Sequence, residues 1–327
     1  MADGDAEAEA LWYVGPGRAE IRRERLSPLA DGMVRVRALH GAISRGTESL
    51  IAAGKVPASE YQRMRGPYMG GNFPFPVKYG YATVGRVEAG SDALLGRTVF
   101  GLHPHQTYFD LPVEAAVPVP PEVPASRAVM AANMETALNA TWDASPLPSG
   151  AIAIVGAGVV GALTGFLCAR VPGAEVTLID VNPAREELAR ALGLHFATPD
   201  SAPADCELVV HSSATAAGLA TAINIAGDEA TIVELSWYGA GIVPVPLGGA
   251  FHSRRLRIVS SQVGKVAPSR RATTSHRQRL ELAIELLADP RLDALLTPVV
   301  PFLDLPERLP DIFNRQNGVL CPLIAYP

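Results

Sequence analysis

Gly156, Gly158 and Gly161 punctuate the run Gly156-Ala157-Gly158-Val159-Val160-Gly161, directly after the apolar stretch 151–155. This spacing suits one task above others, which is holding a dinucleotide by its pyrophosphate. The first glycine permits a tight turn from strand to helix, the second lets backbone approach the phosphates, and the third lets helix and strand pack closely. A helix opening at Val159 and Val160 then offers its free N–H groups and partial positive charge to the phosphates. A second apolar run, 176–179, ends at Asp180. That carboxylate can accept from both hydroxyls of an adenine ribose and repels a 2′-phosphate, so NAD is expected rather than NADP. The plain alternative, a glycine turn that binds nothing, leaves Asp180 without a purpose.

Other residues have the chemistry for acid–base work. Glu48 is the only carboxylate in the turn Ser44-Arg45-Gly46-Thr47-Glu48. It can act as a base, pair with Arg45, or cap a following helix. In His103-Pro104-His105 the two imidazoles point the same way if the segment is extended. They can then serve as an acid–base pair or, with Glu48, as an improvised metal site. If the proline makes a loop, they are two solvent-facing histidines. Arg185 can meet the phosphate edge of an adenosine, or belong to an exposed charge run with Glu186 and Glu187.

The elements that must position these groups fall into two textures. Residues 11–14, 19–26 and 32–43 are short β-prone runs separated by Gly-Pro, Ser-Pro and Asp-Gly turn signals. Further strands are expected over 81–87, 98–100 and 106–111. Residues 118–124 form a proline-rich exit unsuited to a central strand, and a helix is expected from about Ser126. From Ala151 onward strands and helices alternate, the mark of a parallel, doubly wound α/β sheet. Its later strands are expected over 207–211, 231–235 and 256–260, with an amphipathic helix over 276–287. One more strand-like run (297–302), a helix from Leu305 and an apolar segment (319–326) close the chain. The first ten residues, acidic and Ala-rich, are expected to be a disordered lead-in.

The chain has 327 residues, a net charge of −5 and 48% hydrophobic residues. Its length suits two domains, and the charge argues against nucleic-acid or membrane-surface partners. No window approaches the roughly 18 uninterrupted apolar residues of a membrane span. The cysteines Cys168, Cys206 and Cys321 are far apart and form no CxxC. That pattern fits a reducing cytoplasm and excludes a cysteine-based zinc cluster.

With Gly80-Tyr81-Ala82-Thr83-Val84-Gly85, Ser260-Ser261-Gln262-Val263-Gly264 and the Leu305-Pro306 helix start added to the glycine loop, the chain resembles the medium-chain dehydrogenase/reductase superfamily. The resemblance is to its alcohol dehydrogenase-like members and runs from Leu11 to the end. Within the superfamily, Ile43-Ser44-Arg45-Gly46-Thr47-Glu48 resembles the branch of bacteriochlorophyllide dehydrogenase relatives. The resemblance implies a GroES-like β-rich catalytic domain over residues 1–133, an NAD-binding Rossmann domain over 134–266 and a C-terminal return over 267–327. It also implies a homodimer paired at sheet edges around residues 237–245, acting on a small-molecule substrate. Hydride transfer between nicotinamide and an alcohol or carbonyl is the expected reaction. An NADPH-dependent quinone or enoyl reductase and a non-catalytic NAD(H)-binding protein are the rival readings.

Zinc-dependent members of the superfamily carry metal ligands where this chain has Ser44, Tyr81, Ala82 and a residue near Ala132. None of these supplies the thiolate or imidazole that tetrahedral zinc requires, so no catalytic zinc is expected. Ser44, Thr47 and Tyr81 then fall where the resemblance puts the pocket, with Tyr81 the most acidic hydroxyl of the three. A core-edge tyrosine is the alternative. Arg45 matches a position where the superfamily often places a pyrophosphate-binding arginine, and its planar fork suits phosphate; a surface ion pair competes with that role. Glu135 lies at the cofactor face by the same resemblance, against a helical core-edge position. Gln262 and Val263 are expected beside the nicotinamide, against a plain strand end.

Overall fold

The computed structural model describes residues 7–327. The chain opens with strands β1 (Glu7–Gly15), β2 (Arg18–Arg25) and β3 (Met33–Ala42), helix α1 (Arg45–Ala52), then β4 (Gly70–Gly71), β5 (Val77–Lys78), β6 (Thr83–Ala89), β7 (Thr98–Gly101), β8 (Tyr108–Pro112) and β9 (Val117–Pro118). Helices α2 (Ala125–Ala128) and α3 (Ala131–Ala144) lead to a regular alternation. It runs β10 (Ala151–Val155), α4 (Val159–Cys168), β11 (Glu175–Ile179), α5 (Arg185–Leu192), β12 (His195–Ala197), β13 (Cys206–His211), α6 (Ala216–Ile225), β14 (Ala226–Glu234) and β15 (Arg257–Ser260). Helix α7 (His276–Leu286), β16 (Leu296–Pro301), α8 (Leu305–Phe313) and β17 (Cys321–Ala325) follow. The chain divides into two compact units: one comprises the chain up to Ala132 together with Leu296–Pro327, the other Asn133–Leu295.

The first unit is built on a sheet of order β16-β17-β3-β6-β7-β9, with β8 paired to β3, and a smaller sheet β2-β1-β5-β4. Strand β3 alternates buried and half-buried positions, so Val34, Val36 and Ala38 share one face with Val87, Val99, Phe109 and Leu111 in a single core. Residues 7–10 correct the expectation of a disordered lead-in: they begin β1, with Ala8 and Ala10 buried and the strand paired to β2. The acidic composition concealed a period-two pattern whose alanines face inward. Residues 1–6 of that expectation lie outside the described residues.

The second unit is a parallel sheet of order β12-β11-β10-β13-β14-β15. The winding direction changes between β10 and β13, and in such sheets ligands bind in the crevice beyond the carboxyl ends of the strands at that point. Strand β10 is a continuous apolar run because both faces are covered. The unit extends to Leu295, past the residue-266 limit expected from the resemblance. Helix α7 explains the difference: Arg279, Leu280, Ala283 and Ile284 are buried, and Arg279 bonds Glu135 and Asn139 of α3.

Candidate functional site

In the first unit a polar cluster is sealed inside apolar surroundings. Helix α1 starts after Ser44, and Glu48 on its first turn is fully buried. Glu48 Oε1 accepts the Ser44 N–H at 2.7 Å, so the carboxylate does cap the helix. Its other oxygen accepts the Tyr13 hydroxyl at 2.8 Å and lies 2.9 Å from His105 Nε2. A carboxylate has acceptor capacity for all three, and each such bond is stronger for being made to a charge. With the ring N–H on Nε2, His105 Nδ1 is left as a buried acceptor without a partner. Gly80 makes this approach feasible: its φ is +133°, and a Cβ there would fall 2.7 Å from His105 Nε2.

Tyr81 stands beside this cluster. Burial pushes its phenol up to about 12, Glu48 pushes the same way, and the adjacent Ser44 and Thr47 hydroxyls oppose both. At neutral pH Tyr81 is therefore a hydrogen-bond donor and not a phenolate. Tyr13 is likewise raised, by burial first and then by Glu48. Ser44, Thr47 and Tyr81 keep partial exposure while Glu48 lies beneath the surface. Tyr79 packs edge-on against Tyr81 (6.0 Å between ring centroids) and tilts against Phe73 (6.1 Å), which gives the cluster an aromatic flank.

His103 and His105 part company. His105 joins Glu48, whereas His103 is stacked between Phe109 (4.4 Å) and Tyr68 (5.5 Å). Burial holds the His103 imidazole down to about 3, against a bond to the Pro104 carbonyl that favours its charge. It is a neutral packing group at physiological pH and not a solvent-facing side chain. Arg45 is also employed otherwise than expected. Its guanidinium donates to the carbonyls of Ile312, Val319 and Asn314, tying α1 to the C-terminal segment.

Among the described residues no three His, Cys, Asp or Glu side chains gather as a metal would require. In the first unit Glu48 and His105 come together, and they are bonded to each other.

The second unit holds the glycine loop. Gly156 has φ +110°, and a Cβ on Gly161 would fall 2.0 Å from the Gly156 carbonyl oxygen, so both positions require glycine. Gly158 caps α4 with nothing within 4 Å of a Cβ, leaving open space at the helix N-terminus. Val159 and Val160 form the first turn and are half-buried. Asp180 follows β11 and braces the loop: its oxygens accept the N–H of Ala157 at 2.8 Å and of Asn182 at 2.9 Å. Arg185 is half-buried near that carboxylate; burial lowers its pKa and Asp180 opposes the shift.

Glu135 is drawn into a buried ion pair. Arg279, 1% exposed, donates to Glu135 (3.0 Å), to Asn139 and to the carbonyls of Val263 (2.6 Å) and Lys265 (3.3 Å). Burial raises the Glu135 pKa while Arg279 and His276 oppose it. Val263 is thus held by its carbonyl, and exposed Gln262 turns back to accept the Gly264 N–H at 2.7 Å.

Sequence reasoning missed Tyr13, Arg279 and a buried cluster around His211 and Glu234. Tyr13 and Arg279 find partners 35 and 144 residues away, which no local spacing signals. His211 had one signal available, its place at the carboxyl end of a strand beside the glycine loop.

No protein-family model and no curated protein matches the sequence. Solved structures do match. L-idonate 5-dehydrogenase from Escherichia coli superposes with a TM-score of 0.80 at 15% identity, over 98% of this chain and 99% of that one. A short chain alcohol dehydrogenase from Escherichia coli, complexed with NADH, gives 0.77 at 17% identity over 98% and 99%. A thermostable alcohol dehydrogenase from Pyrobaculum aerophilum gives 0.77 at 19% identity over 98% and 100%. At these identities the likeness is one of architecture: the chain has the two-domain α/β fold of these dehydrogenases, a GroES-like β-rich unit with a Rossmann unit.

Proposed function

We propose that the protein is a zinc-independent, NAD-dependent oxidoreductase that moves hydride between nicotinamide and an alcohol or carbonyl substrate. The observation that carries this reading is the Glu48 cluster, a buried acid–base group with Tyr81, Ser44 and Thr47 at its edge, of which Ser44 and Tyr81 stand where the resemblance puts zinc ligands. Gly156, Gly158, Gly161 and Asp180 would hold the dinucleotide, whose nicotinamide supplies the hydride acceptor or donor when bound. Tyr81 donates a hydrogen bond to the substrate oxygen and so favours negative charge developing there. Ser44 and Thr47 steady the phenol. Glu48, fixed by Tyr13 and His105, lies beneath them, and the proton lost from an alcohol moves to the Tyr81 oxygen as the phenol passes its own proton through the Ser44 and Thr47 hydroxyls to solvent. Asp180 repels a 2′-phosphate and sets the preference for NAD.

An apolar flank of Tyr79 and Phe73 fits a substrate with a hydrocarbon or ring portion. The exposed outer strand β15, and Ile242 at 98% exposure in the segment 237–245, support a homodimer. The three buried free thiols suit a reducing cytoplasm; no helix among the described residues is long and apolar enough to cross a membrane.

Steady-state kinetics on a panel of alcohols and ketones, with metal analysis of the active protein, tests the reading. Tyr81→Phe is expected to lower kcat by about 100-fold or more with NADH affinity unchanged, and NADH is expected to outperform NADPH. Stoichiometric zinc in the active protein, or a preference for NADPH, overturns the corresponding part. Tight NADH binding without turnover on any substrate favours a non-catalytic role.

A further inference from the structure

The second unit contains a polar relay that the preceding reading leaves unused. His211 closes β13 with its ring fully buried. Its Nδ1 lies 2.7 Å from Glu234 Oε2 at the end of β14, and its Nε2 lies 2.7 Å from Ser213 Oγ. Ser213 Oγ is 2.9 Å from Thr215 Oγ1, which caps α6 by accepting the Gly218 N–H at 3.0 Å. Glu234 also accepts the Tyr238 hydroxyl at 3.1 Å and the Ser236 N–H at 2.7 Å. Gly218 clears the space: a Cβ there would fall 2.1 Å from Ser213 Oγ and 2.8 Å from His211 Nε2.

This relay abuts the glycine loop. Val155 and His211 are paired in register, and the Ser212 hydroxyl donates to the Gly156 carbonyl at 3.0 Å. A Cβ on Gly156 would strike the Ser213 nitrogen at 2.7 Å. Residues 211–213 thus border the crevice at the change of winding direction.

The hydrogen bonds admit two proton arrangements. In the neutral ring Nδ1 donates to Glu234, so Nε2 must accept and the Ser213 proton is spent on His211. When His211 takes a proton from solvent, Nε2 donates instead, Ser213 Oγ accepts, and the hydroxyl proton is released for another acceptor. The release occurs at the rim of the glycine loop, where a pyrophosphate needs donors and benefits from an added positive charge nearby.

We propose that the Ser213 hydroxyl is a hydrogen-bond donor to the phosphates of the bound dinucleotide, and that His211, held by Glu234, is the positioning residue that sets its polarity by protonation. The inference rests on the dinucleotide reading above. Glu234 supports it: burial works to raise its pKa, yet His211 and Ser236 hold it below the usual carboxylate range, so a negative charge stays beside the ring. Of the groups around His211, Glu234 and Tyr238 are titratable, and Tyr238 is raised by burial and then by Glu234, so it stays protonated. Val155, Ser213, Thr215, Ser236 and Gly218 carry no titratable side chain.

Fluorescence titration with NADH from pH 6 to 8.5 tests this on the wild-type protein, Ser213→Ala, His211→Gln and Glu234→Gln, with the melting temperature of each recorded. Wild-type affinity is expected to weaken about fivefold or more as pH rises. Ser213→Ala and His211→Gln are expected to bind at the weaker level with a flat profile, and Glu234→Gln to shift the midpoint to lower pH. Ser213→Ala removes a single half-buried hydroxyl and keeps the test open if His211→Gln fails to fold. A flat wild-type profile, or variants that weaken binding equally at every pH, overturns the proposal while NADH binding itself stands. Folded wild-type protein that binds no NADH at any pH overturns the dinucleotide reading and this inference with it.

Discussion

His103 and His105 sit either side of Pro104, and the fold gives them different company. His105 reaches a carboxylate, while His103 meets aromatic faces and one carbonyl. The second environment has a measurable consequence. A His103 held down to about 3 in the folded protein titrates near 6.5 once unfolded. Above the unfolded value neither state is charged, and the group favours neither. As pH falls below about 6.5 the unfolded chain binds a proton that the folded ring refuses, and stability is lost progressively towards pH 3. Between pH 7 and pH 5 this one group is expected to cost about 2 kcal/mol. His103→Phe keeps the stacking and removes the titration, so urea denaturation at both pH values should show a shallower acid loss. Equal losses in the two proteins would refute burial of His103 as the cause.

At the scale of elements, the clamp of α7 on α3 shows how a charged side chain holds a loop. Arg279 gathers Glu135, Asn139 and the carbonyls of Val263 and Lys265 around one buried guanidinium. Removing it strands the Glu135 carboxylate, so Arg279→Met is expected to destabilise the second unit by about 3–5 kcal/mol. Adding Glu135→Leu should recover part of that loss, because the uncompensated charge goes too. Denaturant titration of both variants decides it, and a double variant no more stable than Arg279→Met alone would argue against charge stranding. The elements themselves were largely legible. The glycine turn, the apolar strand runs and the proline punctuation are local, and local sterics and periodicity place them. Employment of individual polar residues was not: the sequence left Glu135 open between the cofactor face and a helical core edge, and Arg45 between a pyrophosphate and a surface ion pair, whereas their partners in the structure, Arg279 and the carbonyls of Ile312 and Asn314, lie far along the chain.

For the whole molecule, the dinucleotide reading carries a linkage consequence. A ligand that binds only the folded state stabilises it by mass action, by about 2.7 kcal/mol at one hundred times its dissociation constant. NADH is expected to raise the melting temperature, and NADPH at the same concentration to do so less, because of Asp180. Gly161→Ala should abolish the shift, since its Cβ would collide with the Gly156 carbonyl at 2.0 Å. An unchanged NADH shift in that variant would place the ligand elsewhere.

What the sequence determined by itself was the order of elements, the α/β class and the glycine turn between β10 and α4. Those follow from interactions between near neighbours, from glycine torsions, strand periodicity and the spacing of a turn. Only the tertiary structure decided that Glu48 is shared by Tyr13 and His105, that His103 is a packing ring, and that His211 links Ser213 to Glu234. The physical reason is common to all three. A buried polar group must find a partner, and whether that partner is a carboxylate brought from 35, 57 or 23 residues away, as for Tyr13, His105 and His211, or a neighbouring carbonyl within an aromatic stack, as for His103, is settled only when the chain is folded.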